Sequence, residues 1–221
     1  MLLSDSQGKF SNMVKATAWE EMKNVHYGLL GGAAAAFLNK FYYFGGAYEY
    51  ESSSATNAAW YYDPAADGEE IASMPEARWF HDAAVYDYSV YVLGGRGVDE
   101  SDNGSSQSSV WRYYPDADTW DETPADLPIS CEGLQAVSFD GKLYSIGGWS
   151  SDSSDYINDV YAYDPAAESW TEVSSMREAR RGHGAVALNG RIYVFGRNTA
   201  EAAARPLGRS KSPPFQEVHV S

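Results

Sequence analysis

The chain has 221 residues and a formal net charge of −15, a length that can bury one sizeable core or two small ones. So acidic a chain is a poor match for nucleic-acid phosphates or anionic membrane surfaces, which both require a basic field. Its single cysteine, Cys131, cannot form an internal disulfide, so nothing points to an oxidising compartment.

Along the chain, the start Met1-Leu2-Leu3-Ser4-Asp5 lacks the basic and apolar regions of a signal peptide. The most apolar stretch, 29–46, is interrupted by Asn39-Lys40 and is too short for a membrane span. A cytoplasmic location is expected, with the nucleus as the alternative. An aromatic and apolar run ending in a glycine pair then recurs. It reads Tyr42-Tyr43-Phe44-Gly45-Gly46, Tyr91-Val92-Leu93-Gly94-Gly95 and Tyr144-Ser145-Ile146-Gly147-Gly148, and last Tyr193-Val194-Phe195-Gly196-Arg197, with the second glycine lost. A second marker keeps the same step: Trp60-Tyr61-Tyr62-Asp63-Pro64, Trp111-Arg112-Tyr113-Tyr114-Pro115 and Tyr161-Ala162-Tyr163-Asp164-Pro165. Trp120 and Trp170 each stand five residues after the proline, where the first unit has Glu69. Hairpin turns precede the glycine pairs at Leu38-Asn39, Asp87-Tyr88, Asp140-Gly141 and Asn189-Gly190. A two-residue turn there needs φ > 0 at both centres, which Tyr88 tolerates poorly, so a different hairpin is expected at that position.

Three markers in one order, repeated about every 50 residues, resemble the kelch repeat. The resemblance covers roughly residues 10–196 and implies an all-β, kelch-type propeller of about four blades. The third unit offers strands at 133–139, 142–147, 158–163 and 169–173. Blades set side by side bury both faces of each sheet and leave only short edges. The glycines, the tyrosines and the tryptophans are expected to be structural.

Trp19-Glu20-Glu21-Met22 resembles Trp170-Thr171-Glu172-Val173 and stands one period before Glu69. The expected organisation is an extension at 1–9, a half-unit at 10–27, and whole units at 28–77, 78–128 and 129–177. A second half-unit at 178–196 and an unstructured tail at 197–221 follow. The halves are complementary. Either they close a ring of four, or the chain is an arc of a larger ring, which leaves self-association open.

Strand alternation brings the loops between strands two and three to the same end as the connections between units. Function is expected on these loops. The first set is acidic and Ser-rich, over 47–57, 96–109 and 149–158, and is expected to be solvated and flexible. The second set carries Arg78, Trp79 and His81, then Arg180, Arg181 and His183. Arg78 aligns with Arg180 and His81 with His183, whereas the other units have Leu29 and Cys131, then Gly32 and Leu134. With Arg96 and Trp149, these side chains form the candidate binding face. Arg, Tyr and Trp anchor protein interfaces, and Arg grips carboxylates and phosphates in bidentate fashion. The expected partner is therefore a protein, and an acidic or phosphorylated peptide fits best.

The four histidines show no metal-ligand spacing, and no nucleophile elbow or phosphate loop is present. Asp99-Glu100-Ser101-Asp102-Asn103-Gly104 begins like a calcium loop but has Val110 where a glutamate is needed. No catalytic residue, metal or cofactor is expected. The resemblance implies a non-enzymatic interaction module, such as the substrate-recognition part of a ubiquitin-ligase adaptor, or an actin-binding protein. The adaptor role needs a BTB domain, which this chain does not carry. A sugar mutarotase of the sialic-acid type, using central Arg and His residues, and a copper oxidase of the galactose-oxidase type are the enzymatic alternatives.

Overall fold

Alternating apolar residues, closed by turns that only a positive φ can make, give this chain its sheets. The computed structural model describes residues 29–64, 66–98, 104–196 and 215–218. Blade A comprises β1 (Ala33–Phe37), β2 (Lys40–Phe44), β3 (Ala59–Asp63) and β4 (Ala66–Ile71). A two-residue strand, β5 (Arg78–Trp79), precedes blade B. Blade B comprises β6 (Asp82–Tyr86), β7 (Ser89–Leu93), β9 (Val110–Tyr114) and β10 (Thr119–Asp121), with β8 (Arg96–Gly97) paired back on β5. Blade C comprises β11 (Gln135–Phe139), β12 (Lys142–Ser150), β13 (Asp155–Asp164) and β14 (Ser169–Glu172). Blade D comprises β15 (His183–Leu188), β16 (Arg191–Gly196) and β17 (Phe215–Val218). Blades A, B and C are four-stranded antiparallel meanders and blade D has three strands, so the described residues form an arc of propeller blades. The segment 10–22 lies outside the described residues.

The innermost strands β1, β6, β11 and β15 stand side by side, and a hydrophobic seam fills each joint. Ala35, Tyr42 and Phe44 meet Val90, Val92 and Trp111 between A and B. Tyr91 and Leu93 meet Leu134 and Leu143 between B and C, and Tyr144 and Ile146 meet Ile192 and Val194 between C and D. Each valine, leucine, isoleucine or phenylalanine among them, fully buried, contributes about 1.5–3 kcal/mol.

The glycine pair is what lets one blade touch the next. Gly45 has φ +55°, and a Cβ there would lie 2.7 Å from the Arg78 carbonyl oxygen and 2.8 Å from the His81 ring. The second glycine binds the incoming connection: Gly46 N–H donates to Arg78 O (2.9 Å), Gly95 to Cys131 O (2.8 Å) and Gly148 to Arg180 O (2.7 Å).

Three expectations are corrected. The Asp87-Tyr88 hairpin is built like the other three, with φ +43° and +58°, and Tyr88 is 74% exposed with its ring edge-on to Phe37. The cost of that geometry is local, since the left-handed region is unfavourable by about 1–2 kcal/mol for a bulky residue. Replacing Tyr88 by glycine should therefore raise the urea midpoint, by a stability gain of roughly 0.5–1 kcal/mol. An unchanged or lower midpoint would show that the Phe37 contact outweighs the strain. Second, 149–158 is not a flexible loop. The Gly147-Gly148 pair is a β-bulge, after which β12 and β13 pair on through Trp149↔Tyr156 and Ser150↔Asp155. Third, Phe215–Val218 is not unstructured tail: β17 pairs with β16 from Phe195↔Phe215 to Ile192↔Val218. It takes the third-strand place rather than that of the tryptophan strand.

Candidate functional site

Each unit reaches the axis by the same backbone path. Gly31, Phe80, Gly133 and Gly182 occupy equivalent positions, all with φ between +53° and +64°. They are chained across the joints: Phe80 N–H donates to Gly31 O (2.6 Å), Gly133 to Phe80 O (2.7 Å) and Gly182 to Gly133 O (2.8 Å). Phe80 is the one side chain in a row of glycines, which costs energy and marks the place as special.

One residue earlier stand Leu30, Trp79, Glu132 and Arg181. The first three of these pair across their own blade with Ala47, Arg96 and Trp149. Backbone and bonding repeat here, while the side chains change class from blade to blade. Glu132 is fully buried and ion-paired to Arg181 at 2.7 Å and Arg96 at 3.3 Å. The Arg181 guanidinium lies 5.2 Å from the Phe80 ring centre and 6.0 Å from that of Trp149. Trp79 stacks on Phe80 at 4.3 Å, and Tyr50, 71% exposed, stands edge-on to both at 5.1 and 5.9 Å. Two arginines face one carboxylate in the cluster, flanked by rings.

The structure thus brings Trp79, Arg96, Trp149 and Arg181 together at one end of the arc. It does not bring Arg78, His81, Arg180 or His183 to that surface; all four are buried inside the joints. Arg78 lies flat on Trp111, 3.3 Å from the ring centre, and donates to Gly94 O (2.9 Å), Ser109 O (3.4 Å) and Ser109 Oγ (2.8 Å). Burial lowers its pKa to about 9. Arg180 donates to Gly196 O and pairs with Glu178 at 2.9 Å. His81 Nε2 bonds the Phe44 carbonyl at 3.0 Å; burial, then the Arg78 charge, lowers its pKa to about 3. His183 is lowered to about 4 by burial and then Arg180. Cys131 sits in the B–C seam, where burial pushes its thiol up to about 12.

Tyr50, an aromatic that the sequence places on the first acidic loop, joins the cluster, and Glu132 and Phe80 complete it without having been singled out from sequence. The signal was available, because Glu132 stands in one column with Trp79 and Arg181. Among the described residues no three His, Cys, Asp or Glu side chains gather as a metal site, and no helix is long and apolar enough to cross a membrane.

Residues 32–196 match the family model of the KLHDC2/KLHL20/DRC7 Kelch-repeats domain. The chain belongs to the kelch-repeat family. Its curated kelch relatives include beta-scruin of Limulus polyphemus, 34% identical over 57% of this chain and 14% of that protein. Human Kelch-like protein 33 is 34% identical over 62% of the chain and 25% of that protein. Mouse Kelch-like protein 35 is 25% identical over 80% and 29%. The chain thus spans less than a third of the length of these kelch relatives. The solved structure titled "Structure of YjhT" superposes with a TM-score of 0.70 at 16% identity, covering 79% of this chain and 60% of that one, and supports the propeller fold.

Proposed function

We propose that this kelch arc is a non-enzymatic protein-interaction module whose binding face is the end carrying Tyr50, Trp79, Phe80, Arg96, Trp149 and Arg181. One observation carries this: the exposed Tyr50 and the half-buried Arg96, Trp149 and Arg181 are held side by side by buried Trp79 and Glu132, as a pre-organised binding surface would be. Rigid rings and arginines are the residue types that anchor interfaces. Glu132 supports them from beneath by holding both guanidinium groups in place. An acidic or phosphorylated peptide would meet the Arg181 guanidinium, with Tyr50 and Trp149 as apolar flanks. Catalysis is disfavoured because His81, His183, Asp82 and Cys131, the candidate acid–base and nucleophilic groups with strongly shifted pKa values, are packed between blades. This includes the Arg–His set on which a sugar mutarotase reading rests. The family offers two settings, substrate recognition within a ubiquitin-ligase adaptor and actin binding, and both would use a face of this kind.

A peptide array with acidic, phosphorylated, basic and neutral arms tests the assignment. Tyr50→Ala and Trp149→Ala should each weaken the selected peptide roughly tenfold or more, with the melting temperature nearly unchanged. Undiminished binding by the double variant would overturn the face.

A further inference from the structure

The end of the arc opposite the candidate face carries its own exposed side chains, and its turns supply an internal comparison. Strands β1, β6, β11 and β15 leave the face at Gly31, Phe80, Gly133 and Gly182 and reach this end at four two-residue hairpin turns. In blades C and D the turns are Asp140-Gly141 and Asn189-Gly190, residues that accept a left-handed backbone at little cost. Blade A has Leu38 at the first turn position (φ +52°), and blade B has Tyr88 at the second (φ +58°). Among the described residues, Leu38, Phe80 and Tyr88 are the three apolar or aromatic side chains carried on a positive φ. Phe80 belongs to the binding face at the other end. A strained backbone that glycine or asparagine would relieve points to a use for the side chain that stands there.

That use is not the packing of blades. Leu38 is 54% exposed, and Tyr88, at 74%, is the most exposed large apolar or aromatic side chain among the described residues. Blade B is flanked by A and C, so the exposure of Tyr88 does not come from an open end of the arc. Tyr88 stands edge-on to Phe37, 6.2 Å between ring centres, and Phe37 immediately precedes Leu38. The turns of blades A and B therefore form one apolar patch.

Charge around the patch selects the partner. Asp87 shares the Tyr88 turn, and Asp63, Asp116 and Asp118 stand at the turns between the third and fourth strands of the same two blades. Asp87, Asp116 and Asp118 are exposed. Burial raises the Tyr42 pKa, and Tyr61, Asp116 and Asp63 raise it further, so both of these carboxylates act on the A–B joint. The basic side chain in these turns is Lys40, and its ammonium lies over the Tyr61 ring at 3.9 Å. Apolar side chains ringed by carboxylates complement a partner that is apolar and cationic.

We propose that the Leu38–Tyr88 patch is a second docking surface, and that its partner is a protein segment carrying lysine or arginine beside a leucine or an aromatic side chain. The apolar side chain of that segment rests on Leu38 and Tyr88, and its cations meet Asp87, Asp116 and Asp118. With the candidate face at the far end, one chain links two partners of opposite charge.

Fluorescence anisotropy with the full chain tests this, using short labelled peptides that alternate lysine with leucine, lysine with serine, and serine with leucine. The lysine–leucine peptide should bind roughly tenfold or more tightly than either of the others. Leu38→Asn and Tyr88→Gly together bring the turns of blades A and B to the chemistry of those in C and D. This double variant should weaken the lysine–leucine peptide roughly tenfold or more while its urea midpoint rises, a combination that loss of folding cannot produce. Tyr88→Phe, which keeps the ring, should bind as the wild type does. Nitration of Tyr88, mapped by mass spectrometry, should proceed in the free chain and be blocked by the lysine–leucine peptide. Equal binding of the three peptides, or undiminished binding by the double variant, would overturn the proposal. A double-variant midpoint that does not rise would remove its premise. Protection of Tyr88 without peptide would overturn it too, since the chain itself or a second copy would then cover the patch. Acidic or phosphorylated peptides should bind the double variant at wild-type strength, so a failure here leaves the opposite face untouched.

Discussion

Arg78→Met should destabilise the fold by about 3–5 kcal/mol, the cost typical of breaking a buried, hydrogen-bonded charge site. The guanidinium is fully buried on the Trp111 ring and holds Gly94 O, Ser109 O and Ser109 Oγ. Methionine fills much of the space but leaves these acceptors without their donor, at about 1–3 kcal/mol for each one that water cannot reach. Glu76, 3.8 Å away with a largely exposed side chain, adds little. Arg78→Lys should recover only part of the loss, because an ammonium cannot lie flat on the indole or span two acceptors in fixed geometry. Arg180→Met should destabilise the C–D joint in the same sense, by removing the donor to Gly196 O and the ion pair with Glu178. The measurement is urea unfolding, with the midpoint falling at constant slope. A change within about 0.5 kcal/mol would mean that the guanidinium does not hold the joint.

Stability should rise with pH between about 4 and 6, and His81 and His183 are the reason. Both are neutral in the fold, lowered to about 3 and about 4 by burial. The unfolded chain protonates them near the ordinary value of about 6.5. Their contribution is thus complete above pH 6.5 and is lost as the pH falls toward the folded values. Asp82 acts in the opposite sense. Burial raises it to about 6, against the bonds it accepts from the Ala136 and Ala83 amides. It keeps a proton that the unfolded chain releases near 4, so its contribution declines as pH rises from about 4 to about 6. In that window unfolding binds two protons at the histidines and releases one at Asp82. The net slope is about +1.4 kcal/mol per pH unit. His81→Gln should remove about one proton from it and leave the curve nearly flat. A wild-type midpoint that stays level or falls from pH 4 to 6 would contradict the assignment.

Much of the architecture was legible because identical backbone geometry demands identical residues. The glycine pairs and the hairpin turns recur for that reason, and they placed the strands of blades A, B and C. The burial of Arg78 was less visible. Its column contains Leu29 and Cys131, an apolar and a small residue, which is the composition of an interior position, yet arginine suggests a surface. Glu132 was missed for the converse reason. A column whose side chains share nothing carries no motif, although two of its members, Glu132 and Arg181, are ion-paired to each other in the fold. Blade C's long hairpin was hidden because Gly147-Gly148 reads as a strand end, and only hydrogen bonding shows it to be a bulge. β17 was obscured by the distance in sequence from β16 to Phe215.

The bonds through Gly31, Phe80, Gly133 and Gly182 all run one way, each later unit donating to the one before it. A gene that duplicated or lost a whole unit would leave every remaining donor matched to an acceptor of the same kind. The face positions would keep their backbone frame but not their partners: Glu132 bridges Arg96 and Arg181, and Arg181 reaches Phe80, so exchanging one unit would also reset the side chains of its neighbours.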